Sequence, residues 1–184
     1  MGIERQTSVS NILEVEEYWK GFYETLAHEI DFVTAHTIFG IAIEIYKQAI
    51  RSYFSEIYEG TVILCRAALD AVLYAAITRT PIEPGKFSIG ENSDYWDTLK
   101  KEIINQKIMS LDEMTKIWKL RDLGNFVAHI TKRVDEQVTK LSTNPDSYKS
   151  MRIWTTNEEA KSALDQTKDY IIAVIRKYFQ IHGL

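Results

Sequence analysis

The 184-residue chain carries 22 Lys and Arg against 26 Asp and Glu, a formal net charge of −4. That balance excludes an extended basic surface for duplex nucleic acid, because phosphate neutralisation supplies most non-specific affinity, although it leaves room for a small local basic patch. Eight Gly and three Pro are too few turn residues for a β-sandwich or barrel of this length, and a single Cys excludes an internal disulfide, so composition points to one helical domain in a reducing cytoplasm.

The segment from Met1 to Gln6 lacks the apolar run of a signal peptide. Glu44, Lys47, Arg66 and Asp70 interrupt every apolar stretch before it reaches the roughly 18 residues that span a bilayer, so no membrane segment is expected. Residues 1–9 read as a loose start. Ser10 is placed to cap a helix running to about His28, with Glu14, Glu16 and Glu17 in its early turns, where the dipole favours acids. Ile12, Val15, Trp19, Phe22, Tyr23, Leu26 and Ile30 recur at helical spacing. A second helix is predicted from near Thr34, with Ile38, Ile41, Ile45, Ala49, Tyr53 and Ile57 as its stripe and Gly40 as an objection to it.

Gly60 reads as a break or a mere punctuation. Thr61 to Thr78 is then strongly helical, with Val62, Cys65, Leu69, Val72, Leu73 and Ala76 inward. Pro81 and Pro84-Gly85 end it, and a loop is predicted to about Asn92. Ser93 opens a short helix holding Trp96, Leu99 and Ile103. Ser110 and Glu113 form a capping box for a helix through Met114, Ile117, Leu120, Leu123 and Val127, ending after His129. Residues 131–154 read as a long loop with a turn at Asn144-Pro145-Asp146. Thr155 and Thr156 with Glu158 and Glu159 form overlapping capping boxes. The closing helix runs to about Gln180, with Leu164, Thr167, Ile171, Val174, Ile175 and Tyr178 inward and Gly183 past its end. Five or six helices with longish loops predict an all-α fold, an antiparallel helical bundle.

Two constellations carry chemistry. Arg121, Asn125 and His129 lie at i, i+4 and i+8, each displaced by about 40° from the last, with Asp122 seven residues before His129. One ridge thus offers a cation, an acid, an amide and an imidazole; the same spacing equally describes a solvated helix face whose terminal His meets the dipole. Gly124 in this helix costs roughly 1 kcal/mol relative to Ala, which points to close approach of another helix, a second subunit or a ligand. Arg66 and Asp70, at i and i+4 between apolar flanks, read as an ion pair near the core, or as a pair orienting a site residue on a neighbouring helix. Cys65 in the same stretch reads as a small core hydrophobe. Trp19, Trp96, Trp118 and Trp154 fit core or interface positions better than a base-stacking platform. His28 and His36 lie near Glu29 and Asp31, but neither ExxH nor HExxH occurs, and no phosphate-binding glycine loop or nucleophile-elbow motif occurs either, so no metal and no cofactor is expected.

The stretch AIRSYFSEIYEGTVILCRAALDAVLYAAI, from Ala49 to Ile77, resembles the helix of HEPN-like domains that carries R-x-x-L-[DE]. LRDLGNFVAH, from Leu120 to His129, resembles the LRxxGNxxAH signature of an uncharacterised branch of that superfamily, and NEEAKSALDQTKDY, from Asn157 to Tyr170, resembles its closing helix. The resemblance spans about the last three quarters of the chain. It implies an N-terminal helical extension over 1–56, a HEPN-like bundle over 57–184, and a homodimer. Many HEPN proteins are metal-independent endoribonucleases in toxin–antitoxin or host-defence systems. In those, an Arg and a His meet their dimer mates in a cleft, where the His moves protons and the Arg stabilises phosphate charge. Asn125 and His129 match the Asn and His of the nuclease motif R-N-x-x-x-H. Its Arg is replaced by Gly124, and Arg121 matches the uncharacterised branch instead. Two functions are therefore expected: a binding or assembly module for RNA, a nucleotide or a protein partner such as an antitoxin; or an endoribonuclease using His129, Arg121 and Asn125.

Overall fold

The computed structural model describes residues 3–78, 93–129 and 155–184, with side chains for 11–28, 30–78, 96–129 and 155–184. Every regular element among these is an α-helix: α1 (Ile3–Glu29), α2 (Phe32–Phe54), α3 (Tyr58–Thr78), α4 (Ser93–Asn105), α5 (Leu111–Ala128) and α6 (Asn157–His182). The all-α bundle expected from composition is what forms. The predicted loops around Pro81, Pro84-Gly85 and Asn144-Pro145-Asp146, and Trp154, lie outside the described residues.

α3 is the axis of the bundle, packing against α2, α6, α5 and α4. Residues 68–73 of α3 are buried in succession, so the helix is covered on all sides. It is the one described helix long and apolar enough to cross a bilayer, and most of it lies inside the protein. Both features follow from its place at the centre. Around it, Phe22 and Leu26 of α1, Phe39, Ile43 and Tyr46 of α2, Ile103 of α4, Met114 and Ile117 of α5, and Leu164, Ile171 and Ile175 of α6 form one continuous core.

The helix ends follow local chemistry. The Ser110 side chain accepts from the Glu113 N–H while the Glu113 carboxylate accepts from the Ser110 N–H, and Thr156 with Glu159 repeats this reciprocal cap. Gly183 takes the left-handed conformation at the end of α6, with φ 64°. α2 ends in the same geometry without a glycine: Glu56 adopts φ 61°, its N–H bonds the Tyr53 carbonyl, and the Ile57 N–H bonds the Ser52 carbonyl. The three-residue link this creates turns the chain straight back, laying α3 antiparallel against α2.

Three sequence readings need correction. α1 starts at Ile3, so Ser10 lies inside the helix rather than capping it; no Pro or Gly stands between Ile3 and Ser10 to stop propagation. α2 starts at Phe32, because Asp31 is its cap and accepts from the Thr34 N–H. The inward face of α2 is Ala35, Phe39, Ala42, Ile43, Tyr46, Ala49 and Ile50, whereas Ile38, Ile41 and Ile45 are half-buried and Ile57 is exposed. α2 is apolar around most of its circumference, so periodicity alone leaves its rotation open. Ala35, Ala42 and Ala49, seven residues apart, make the smooth strip on the buried face.

Candidate functional site

α5 lies against α3 at Gly124, where α5 has no side chain to keep the two helices apart. A Cβ built on Gly124 would stand 2.5 Å from Cβ of Arg66 and 3.1 Å from its Cγ and Cδ. The partner that demanded a glycine is therefore α3. One turn before Gly124, the Arg121 side chain turns inward at this crossing. The residue is only 7 % exposed and Asp70 is fully buried. Arg121 Nε donates to Asp70 Oδ1 at 3.0 Å. Arg66 Nε sits 3.5 Å from Asp70 Oδ2, an ion pair that leaves both atoms without a hydrogen bond. One carboxylate is thus held between two guanidiniums, the second reaching it from a helix 51 residues further along the chain.

Aromatic rings close the other side. The Arg121 guanidinium carbon lies 4.3 Å from the centre of the Trp96 ring and 5.3 Å from that of Trp118, so α4 and α5 both contribute a π-face to the cation. The sequence carried half of this signal: Trp118 and Arg121 are three apart on one helix, a spacing that puts side chains side by side. Nothing local announces Trp96 or Asp70 as partners, because both come through the tertiary fold.

Burial pushes the Asp70 carboxyl up to about 6, with the charges of Arg121 and Arg66 pulling against it. The group is ionised at neutral pH. Its folded value exceeds the unfolded one near 3.9, so the native state binds this proton more tightly. The contribution of this group to stability is therefore fully present below about pH 4 and is lost as pH rises through about 6. Glu113, held below the ordinary range by hydrogen bonds from Ser110, works in the opposite direction on acidification. Subtracting the Asp70→Asn variant isolates the Asp70 share. Urea unfolding of both proteins should show the wild type gaining on the variant by about 2 kcal/mol between pH 7 and pH 4. A constant gap across that window would show that Asp70 keeps an ordinary pKa.

The remaining residues of the ridge are not gathered here. Asp122 is exposed, Asn125 is half-buried, and His129 is exposed at the C-cap of α5, where its backbone N–H bonds the Asn125 carbonyl. The 40° drift per step accounts for this: over eight residues and roughly 12 Å of rise the ridge passes from the interior to the surface. Within one chain, Arg121 and His129 therefore face different surroundings. Cys65 is fully buried and its thiol is pushed up to about 12 by burial, which suits a core hydrophobe and not a nucleophile. Among the described residues no cluster of His, Cys, Asp and Glu has the makings of a metal site. Comparison of the chain with protein-family models, with curated proteins and with solved structures finds no match to any of the three.

Proposed function

We propose that this protein is a non-catalytic, HEPN-like helical module that assembles with a protein partner. The observation that carries this reading is the engagement of Arg121. Its guanidinium is buried, hydrogen-bonded to Asp70 and stacked on Trp96 and Trp118, while His129 stands exposed at the helix end. A phosphate-stabilising arginine needs free donors beside the proton-moving imidazole. This one is only 7 % exposed, with Nε on Asp70 and the guanidinium against two rings, so it would have to leave that enclosure to meet a phosphate beside His129.

Charge supports a protein partner over RNA. Across α4, α5 and their connection, Lys100, Lys101, Lys107, Lys116 and Lys119 are outnumbered by Asp94, Asp97, Glu102, Asp112, Glu113 and Asp122. Arg121 adds no free positive charge, since Asp70 neutralises it. No excess remains to displace counterions from a phosphate backbone. Incubating the purified protein with single-stranded RNA in EDTA is the direct test. Intact RNA is expected with the wild type and with His129→Ala alike. Cleavage by the wild type that His129→Ala abolishes would establish the ribonuclease function instead.

A further inference from the structure

α1 is amphipathic in an unusual way. Val15, Phe22, Leu26 and, just past the helix end, Ile30 turn into the core, and the helix packs on α2 and α6. Its outer surface carries a second ordered stripe. Leu13, Glu16, Lys20, Tyr23 and Ala27 are all exposed and follow one another at alternating steps of three and four residues, the seam spacing of a coiled coil. Leu13 is 61 % and Tyr23 41 % exposed. The Tyr23 ring is steadied from behind by Phe32, edge-on at 4.5 Å. A shallow groove of about 490 Å³ runs along this face, lined by Leu13, Glu16, Glu17, Trp19, Lys20 and Tyr23.

The order of residues along the stripe identifies what fits it. Placed antiparallel against its own copy, with a two-fold axis level with residue 18, Leu13 faces Tyr23 and Glu16 faces Lys20. Each pair occurs twice, as an isologous contact requires. No charge meets its like at the seam. Apolar residues meet at both ends, and two ion pairs sit at the centre. Lys20 already leans on Glu24 at 3.6 Å, an exposed pair easily exchanged for a bridge to Glu16 of a second copy. A parallel arrangement would set Glu16 on Glu16 and Lys20 on Lys20, which repels.

We infer that the outer face of α1 is a homodimerisation surface, in which two copies of this helix pair antiparallel through Leu13, Glu16, Lys20 and Tyr23. The inference builds on the assembly reading above and assigns the partner as a second copy docking at α1, away from Arg121 and His129.

Charge exchange tests it without touching the core, since Glu16 and Lys20 are both solvent-exposed. In sedimentation velocity the wild type should be a dimer. Glu16→Lys and Lys20→Glu, each alone, should weaken self-association by about tenfold or more, because each sets like charges face to face twice. Mixing the two variants in equal amounts should restore a heterodimer, since one chain then brings two lysines to the seam and the other two glutamates; native mass spectrometry resolves it. A monomeric wild type, single variants that dimerise unchanged, or a mixture that stays monomeric would each overturn the α1 pairing. RNA integrity in EDTA, read on the same samples, reports separately on the non-catalytic reading of α5.

Discussion

Asp70→Ala should destabilise the protein by about 3–5 kcal/mol, the typical consequence of removing one partner from a buried charge pair. The loss comes mainly from what is left behind. Asp70 is fully buried, and its carboxylate is what neutralises the Arg121 guanidinium between Trp96 and Trp118. Without it, two positive charges face each other across the α3–α5 crossing in a medium of low dielectric. Urea denaturation at pH 7 measures the effect. A double-mutant cycle with Arg121→Ala separates pairwise coupling from desolvation. The double variant should be more stable than the sum of the two losses predicts, since only the Arg66 cation then lacks its carboxylate where Asp70→Ala alone leaves two. Replacing Arg121 and Arg66 by Met together with Asp70 by Leu should recover much of the stability, because well-packed apolar groups commonly match a buried ionic cluster once all its charges are removed. Equal stability of Asp70→Ala and wild type would mean that water reaches the site.

The parts of this structure legible in the sequence are those set by neighbours along the chain. Ser110 with Glu113 and Thr156 with Glu159 announce helix starts because a capping box closes within one turn. The stripe of α3 was legible because residues such as Cys65, Leu69 and Val72 belong to a helix that is buried all round over 68–73, so most apolar positions there point inward. Gly124 signalled a close approach, and Arg66 with Asp70 signalled a pair near the core, but neither named its counterpart. The rotation of α2 was not legible, because three isoleucines compete with three alanines for the inner face and only the shape of α3 decides. The depth at which each residue of the ridge lies was not legible for a similar reason. Spacing places Arg121, Asn125 and His129 along one ridge, but which part of the ridge lies under α3 depends on an aspartate 51 positions away. The register of the outer α1 stripe, by contrast, stands in the sequence, yet it was hidden beneath the stronger inward stripe of the same helix.

Gly124 sets the other large expected effect. An added Cβ would lie 2.5 Å from Cβ of Arg66, an atom fixed to the α3 backbone that no rotamer change removes. α3 and α5 must then separate, loosening the contacts of Asp70 with Arg121 as well as the local packing. Gly124→Ala gains about 1 kcal/mol of helix propensity, which offsets part of an overpacking strain of about 1–3 kcal/mol. Gly124→Val adds two further methyls and has poorer propensity, so it should lose about 3 kcal/mol, measured by urea midpoint. The geometry also dictates which second change helps. Arg66→Ala relieves only the contacts at 3.1 Å and leaves the Cβ clash intact, so Gly124→Ala should remain strained in that background. Arg66→Gly removes the clash itself, and in that background Gly124→Ala should turn from destabilising to stabilising. If Gly124→Ala instead stabilises the otherwise unchanged protein, the two helices do not approach as closely as the Arg66 contact requires, and the α3–α5 crossing that buries Arg121 loses its footing.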